Sequence, residues 1–502
     1  MLDSGTGTVM ATRHSPGDAT FDAAHESFRD ALASVHPDGR RKWVYARQPH
    51  GRYYRARTWV SWGLLGFLFA APFIRVGSEP LILLNVLERR FVLFGIVFWP
   101  QDFYLVVLVA LTGLLTLALA TAAVGRVWCG WLCPQTIFME MVFRKIEYLI
   151  DGSAAQQVRR AGLPWALDTV WRRVAKHAIF FGLSFAIANL FLAYIIGWPA
   201  LATIVTDPLF AHPTGLLAIT VFSLLFYGVF ARFREQVCTL ACPYGRVMSA
   251  LIDRHTITVT YDTRRGEPRG RLTRAVREGT AAAHHGDCID CEQCVTVCPT
   301  GIDIRNGIQL ECINCTACMD ACDDVMRRLK RPAGLIRLTS DEAVRTGRAP
   351  WLTARVKAYA AVWLVLVTSV ATVFASRPDL DVMILRQPGA LYLPLEGGSG
   401  GNLYSVQIVN RTSRTRTLEF RVTSPGGAAV TPLGPVGTTP PHGLVEGRLL
   451  VALPAGAVSA ASTPIRFEVR ADGEVVDTID SAFLRGQTTE SGTGRGDRKE
   501  KP

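Results

Sequence analysis

Twelve cysteines carry the chemistry of this 502-residue chain, and their spacing sorts them into two kinds of site. Eight form two consecutive runs: Cys288, Cys291, Cys294 and Cys298 followed by Pro299, then Cys312, Cys315, Cys318 and Cys322. Each run reads C-x2-C-x2-C-x3-C, the bacterial ferredoxin spacing, and the doubled run predicts two [4Fe–4S] clusters. Thiolates suit such clusters because sulfur is soft and anionic, and the short spacing lets one tight loop offer three ligands to a cubane. In two-cluster ferredoxins the fourth cysteine of each run serves the other cluster. That rule predicts one set of Cys288, Cys291, Cys294 and Cys322, and a second of Cys312, Cys315, Cys318 and Cys298. Asp323 stands where the second run would carry proline. Zinc also accepts four cysteines, but from a C-x2-C paired with a distant C-x2-C rather than from two complete runs.

The other four cysteines form a repeat, Cys129-Gly-Trp-Leu-Cys133-Pro134 and Cys238-Thr-Leu-Ala-Cys242-Pro243. Proline after the second cysteine is suited to the first position of a helix, where a missing N–H is harmless. A thiol at a helix N-terminus has a depressed pKa, and Arg126, Arg144 and Arg246 are expected to add positive potential. If the two segments pack together, the four thiols form a soft site for Cu(I), zinc or another cluster, or a redox dithiol pair. Met139, Met141 and Met248 lie nearby in sequence, with core packing as their expected role. Glu140 and Glu147 are spaced to pair with Arg144 on one helix. His177 and the pair His284-His285 are not read as ligands.

What must position these residues is a membrane domain. The composition is 49% hydrophobic, and the apolar residues gather in runs near the bilayer-spanning length of about 17–25 residues. Five runs are expected to span: 58–74, 103–124, 178–197, 215–230 and 358–375. A further stretch, 81–99, is broken by Glu88-Arg89-Arg90 and reads as a folded or re-entrant outer loop, because three charges are costly in lipid. The net charge of +12 does not indicate nucleic acid, because Lys and Arg crowd alternate loops while the opposite loops are nearly bare. That asymmetry predicts the N-terminus inside and the C-terminus outside. All twelve cysteines then fall on the reducing side, which suits metal ligands rather than disulfides. Each C-x3-C-P pair follows an outside-to-inside helix, at the membrane edge, with Trp128 and Trp131 as interfacial anchors. The polar first fifty-odd residues show no apolar core of a cleavable signal peptide.

The expected fold is therefore multi-domain. A segment 1–57, partly disordered with a short helix over 21–35, precedes membrane helices in 58–230. A cytoplasmic loop, 231–355, carries a linker over 261–285 and a ferredoxin-like α+β domain at 286–326. A fifth transmembrane helix, 356–375, leads to an exported domain at 376–485 and a disordered tail at 486–502. In the exported domain Tyr404, Val406 and Ile408, then Leu418, Phe420 and Val422, then Ile465, Phe467 and Val469 alternate with period two. Turn residues such as Ala471-Asp472-Gly473 separate them, which predicts an all-β immunoglobulin-like sandwich. It holds no catalytic constellation and reads as a docking or assembly module.

The chain resembles the cytochrome oxidase accessory family of CcoG, FixG and RdxA. The likeness covers most of its length and rests on Ala70-Ala71-Pro72-Phe73-Ile74-Arg75, Phe98-Trp99-Pro100-Gln101-Asp102-Phe103-Tyr104, Cys129-Gly-Trp-Leu-Cys133-Pro134-Gln135-Thr136, Cys242-Pro243-Tyr244-Gly245-Arg246 and Cys298-Pro299-Thr300-Gly301-Ile302-Asp303-Ile304-Arg305. The resemblance implies a cupric reductase of the bacterial inner membrane that reduces Cu(II) to Cu(I) for assembly of cbb-type cytochrome oxidase. It implies that Cys129, Cys133, Cys238 and Cys242 handle copper as substrate while the two clusters feed electrons. The expected partners are a copper chaperone or copper-transporting ATPase, oxidase assembly factors, membrane lipid and an unidentified cytoplasmic electron donor. Nucleic acid is not among them, and a homodimer is compatible with the sequence. Two other readings remain open here: a membrane relay carrying electrons from quinol to iron–sulfur clusters, and a non-enzymatic assembly scaffold or redox sensor.

Overall fold

The computed structural model describes residues 33–485 except 37, 39, 78, 89, 164–165, 209–210, 272–285, 349–351, 388–391, 396–398 and 459–460. His284, His285 and most of the expected 21–35 helix fall outside the described residues. The chain divides into two compact units at residues 371 and 372.

Among the described residues, four helices are long and apolar enough to cross a membrane: Phe103–Val124, Leu167–Ile196 and Pro213–Phe233 in the first unit, and Ala354–Ala375, which runs to its end and four residues beyond. Few positions of Phe103–Val124, Pro213–Phe233 and Ala354–Ala375 are buried within the protein, whereas Leu167–Ile196 buries about two-fifths of its apolar stretch (39%). Hydroxyls on the outward positions bond back one turn, as Thr112 does to the Leu108 carbonyl and Ser369 to that of Val365. The expected 58–74 span needs correction. Its helix runs Arg52–Ala70, begins with Arg52, Arg55 and Arg57, and gives way to a turn and a short strand, Arg75–Val76. The third helix also starts earlier than expected, at Leu167, because Arg172 pairs with Asp168 one turn back. The charge-broken stretch is a three-stranded antiparallel sheet of Ile82–Asn85, Arg90–Leu93 and Ile96–Phe98, with Arg90 paired to Glu79.

The helix following Cys133 packs into this bundle through aromatic rings. Phe143 lies edge-on to Phe180 at 4.8 Å and stacks on Phe230 at 4.6 Å, while Phe138 contacts Phe226 and Phe230 at 5.8 Å. Met139 belongs to this core, with Leu65, Ile137 and Ile187.

The ferredoxin module reaches beyond 286–326. Strand Thr258–Tyr261 pairs antiparallel with Ile336–Thr339, and the two enclose helix Ala317–Arg328 over a core of Val259, Tyr261, Ile302, Ile304, Met319 and Met326. The described part of the polar N-terminal segment, from residue 33, straps this module. Val35 bridges to Arg41, the Arg47 N–H donates to the Thr296 carbonyl at 2.7 Å, and Ala33 and Tyr53 pack on the module's core. The first helix has glycine at its N-cap, which brings no side chain to its free N–H groups. Asp320 of the cluster helix supplies the cap, accepting from the Tyr53 N–H at 3.2 Å and the Tyr54 N–H at 2.8 Å. Gly51 is required there, since a Cβ would fall 2.2 Å from the Asp320 carboxyl carbon. Asp320→Ala is expected to cost about 0.5–2 kcal/mol, and faster proteolysis at residues 47–55 in the folded protein would register the loosened strap.

The second unit contains two antiparallel sheets. One orders Ala429–Leu433, Leu444–Leu453, Gly400–Asn410 and Leu380–Arg386; the other orders Thr438–Thr439, Arg416–Ser424, Ser462–Ala471 and Glu474–Leu484. The alternating residues read from sequence form the core: Tyr404, Val406, Ile408, Phe467 and Val469 are fully buried. The Tyr404 hydroxyl donates across the sandwich to the Ala482 carbonyl at 2.9 Å, which satisfies the one polar atom its ring brings inside. The last hairpin turns at Asp472 and Gly473, both with positive φ, as a two-residue connection between twisted strands requires.

Candidate redox and metal centre

The two ferredoxin runs fold alike. In the first, Asp290 and Glu292 take left-handed backbone conformations (φ 51° and 54°); in the second, Asn314 and Thr316 do so at the corresponding places (φ 52° and 63°). A short helix follows each kink, Gln293–Thr296 and Ala317–Arg328. Asp290 and Asn314 are of types that tolerate this region, whereas Glu292 and Thr316 are not and are held there by the loop around them.

The loops enclose two cavities of about 360 and 350 Å³, counted to their open mouths. Cys288, Cys291, Cys294 and Cys322 line the first, with Tyr261, Arg305 and Ile336. Cys298, Cys312, Cys315 and Cys318 line the second, with Val259, Ile302, Ile304 and Ile313, and Cys294 stands in the wall of both. Each cavity thus gathers three cysteines of one run and the fourth of the other. Backbone N–H groups of Asn314 and Ala317 bond the sulfurs of Cys312 and Cys315. Burial pushes the Cys312 thiol up to about 12 and Cys315 to about 11, and raises Cys318 well above its ordinary value. Cys294 and Cys322, likewise buried, are each pushed up to about 12. Protonated buried thiols have little use in an apolar pocket unless a metal displaces the protons, and softness, sulfur-directed N–H groups and lining together fit iron–sulfur groups.

The membrane-edge pairs come together as well. Cys129 is buried on helix Val127–Trp131 and Cys238 is buried on a π-helical turn, Val237–Ala241. Cys133 and Cys242 are the N-cap residues of helices that begin with Pro134 and Pro243. Cys238 senses the charge of Cys133, Cys129 and Cys242. The expected lowering of thiol pKa does not hold for the inner cysteine of each pair. Neither begins a helix, and burial pushes Cys129 up despite Arg126, and Cys238 up to about 12. Nor does Arg144 lend its charge to the thiols: it is buried and paired at 2.6 Å with Glu140, as the helical spacing predicted. Glu147 turns instead to Arg234, at 2.7 Å. Among the described residues, no three His, Cys, Asp or Glu side chains converge on a single-ion site.

What the sequence did not reveal is how the two kinds of site meet. Cys129 packs in one cluster with Val297, Ile313, Cys315 and Ala317, against Cys318 and Tyr244. The Gly130 carbonyl accepts from Arg57 Nε at 2.6 Å, and a Cβ on Gly130 would lie 2.4 Å from the Ile313 carbonyl oxygen. Gly245 is similarly pressed on the Cys238 carbonyl, at 2.5 Å from a notional Cβ. The glycines in C-G-W-L-C-P and C-P-Y-G-R were visible as letters, but only the fold shows why a side chain is barred. Met141 and Met248 are buried, Met141 taking a hydrogen bond from Thr58 at 3.8 Å. His177 bonds the Tyr227 hydroxyl at 2.8 Å, away from the thiols.

Comparison with known proteins agrees with this architecture. Residues 233–341 match a family model described as a 4Fe-4S dicluster domain, 106–150 one described as a 4Fe-4S binding domain, and 370–486 the immunoglobulin-like fold at the C-terminus of FixG. Protein RdxA of Cereibacter sphaeroides is 35% identical over 88% of this chain and 97% of its own length. Nitrogen fixation protein FixG of Rhizobium meliloti is 33% identical over 76% and 79%, and Protein RdxB of C. sphaeroides 34% identical over 78% and 84%. With thiol-lined ferredoxin loops, apolar helices and the FixG-type terminal sandwich in one chain, this protein belongs to the FixG/RdxA family of membrane-associated iron–sulfur oxidoreductases.

Proposed function

We propose that this chain is a cupric reductase of the bacterial inner membrane, with the ferredoxin module cytoplasmic and the sandwich periplasmic. In this reading Cys288, Cys291, Cys294 and Cys322 hold one [4Fe–4S] cluster, and Cys298, Cys312, Cys315 and Cys318 hold the other. When bound, these groups supply one-electron transfer, one electron for each Cu(II) reduced to Cu(I). The observation that carries the reading is that Cys129 shares one buried cluster with Ile313 and Cys315 while its neighbour Gly130 abuts the Ile313 carbonyl, so the membrane-edge segment meets the second ferredoxin loop. Cys291, the exposed ligand, faces solvent where a soluble donor can approach. Cys129, Cys133, Cys238 and Cys242 receive the copper ion, and their softness favours the reduced product. Cu(I) then passes to a copper chaperone or copper-transporting ATPase and serves assembly of a cbb-type oxidase, with the sandwich as a docking domain for assembly factors.

A relay that hands electrons to another redox partner is the competing reading. The match of residues 106–150, Cys129 and Cys133 included, to a 4Fe-4S binding domain favours it. Copper as a passing substrate held by two thiols at a time is compatible with the same geometry. Anaerobic protein in detergent, titrated with Cu(II) in the presence of a Cu(I)-specific chromogenic chelator, separates the two. Cys129→Ser combined with Cys133→Ser is expected to abolish chelator colour while acid-labile sulfide and cluster absorbance persist. An undiminished rate in that variant would remove copper from these thiols and leave the relay.

A further inference from the structure

Two buried arginines occupy the junction between the second ferredoxin cavity and the membrane-edge thiols. Arg57 and Arg126 are each 2% exposed. Arg57 gives its Nε to the Gly130 carbonyl, and its Nη2 has no partner among the described residues. Arg126, at the N-cap of the helix bearing Cys129, gives Nη1 to the Leu310 carbonyl, just before Cys312, and its charge acts on Cys129, while its Nε has no partner among the described residues. A Cβ at Gly245, in the second membrane-edge motif, would be 2.8 Å from Arg126 Nη2. Arg126 therefore touches all three cysteine-bearing segments of the junction. Arg57 lies close enough to Cys315 to favour its thiolate.

Among the described residues, neither guanidinium has a carboxylate at ion-pairing distance. The nearby acids are otherwise engaged: Glu140 is bound by Arg144, and Asp320 accepts two backbone N–H groups. Glu311 is half-buried and near enough for the charge of Arg126 to act on it, but makes no ion-pair contact with it. The first cavity differs. There Arg305 is neutralised by Asp303 and Asp290, and Arg265 and Arg331 share Asp287. A buried cation with no anion is costly unless the site's occupant brings negative charge. Thiolate-ligated iron–sulfur groups do, and their reduction potentials follow the net charge and hydrogen bonds around the sulfurs.

We propose that Arg57 and Arg126 are the counter-charges of the junction and hold the potential of the group bound by Cys298, Cys312, Cys315 and Cys318 above that of the other, so that electrons run toward Cys129. This rests on the iron–sulfur reading above. Both are positioning residues: they bias the direction of transfer and hold no metal.

The test is an anaerobic redox titration of the full chain in detergent, followed by electron paramagnetic resonance, for Arg57→Gln, Arg126→Gln and the corresponding Lys variants. Cys291→Ser, in the other ligand set, marks which signal belongs to the distal group. Each Gln variant is expected to lower the reduced-to-oxidised ratio of the junction signal at least about tenfold at fixed potential, a 59 mV shift for a one-electron couple, with the distal signal unmoved. Lys is expected to restore most of the shift. Equal movement of both signals, no movement, or Lys behaving as Gln would overturn the proposal. If both Gln variants lose sulfide, retention in both Lys variants supports a charge requirement and loss in all four overturns it. An unmodified chain lacking acid-labile sulfide would instead sink the iron–sulfur reading, and this inference with it.

Discussion

Gly130→Val is expected to lower copper reduction by about 10²-fold while iron and acid-labile sulfide stay at the unmodified level. The reasoning is steric. A Cβ at this position would sit 2.4 Å from the Ile313 carbonyl oxygen and 2.9 Å from the carbonyl carbon and oxygen of Asn314. These are backbone atoms of a loop that is itself curled by the left-handed Asn314 and Thr316, so they cannot rotate aside as a side-chain tip would. The segment bearing Cys129 must therefore lift away from Cys315, and Arg57 loses the carbonyl that fixes it. Cys312, Cys315, Cys318 and Cys298 remain on their own loops, which is why cluster content is expected to survive. Gly63→Ala, where a Cβ meets nothing within 4 Å, is the control and is expected to leave the rate unchanged. Chelator-coupled copper reduction measured beside sulfide content checks the pair. Equal rates in Gly130→Val and Gly63→Ala would mean that contact between Cys129 and the ferredoxin loop does not limit electron delivery.

The division between what was legible in the sequence and what was not follows the range of each interaction. Ligand sets are written in local spacing, so the grouping of eight cysteines around two cavities could be read directly. Period-two alternation likewise located the strands whose residues Val406, Ile408, Phe467 and Val469 have no exposure. Repetition of C-x3-C-P indicated that the two pairs act together, and Pro134 and Pro243 do begin helices. The failures are non-local. Arg57 looked like a flanking charge at the end of an apolar run, and excluding it placed the helix start several residues late; in the fold it is buried against Gly130. Helix ends were expected to acidify thiols in the membrane-edge pairs, but burial, which no spacing encodes, raises those of Cys129 and Cys238. The N-terminal strap was invisible because its polar residues bond backbone and side-chain groups far along the chain, as Arg47 does with Thr296 and Gln293.

Glu147→Ala is expected to destabilise the membrane unit by about 3–5 kcal/mol, because it strands a buried arginine. Arg234 donates to both oxygens of Glu147, at 3.1 and 2.7 Å, with side chains 5% and 7% exposed. Its remaining acid, Glu235, is 3.9 Å away and already committed to Arg41 at 2.6 Å. The Trp43 ring holds both cations, with Arg41 4.1 Å and Arg234 5.2 Å from its centroid. Lys176, from the third helix, completes the network through Asp151 at 2.7 Å. The pair thus fastens the turn leading to Cys238 onto the helix that follows Cys133, so loss of Glu147 should loosen the junction as well as the fold. An apparent Tm lower by roughly 10 °C is expected in detergent, with a parallel fall in copper reduction. Glu147→Met combined with Arg234→Met removes both charges at similar volume and is expected to recover most of the stability, since the penalty lies in the unpaired ion rather than in the missing attraction. If the double variant were as unstable as Glu147→Ala, the ion pair itself, and not the avoidance of a stranded charge, would be what holds the two cysteine motifs together.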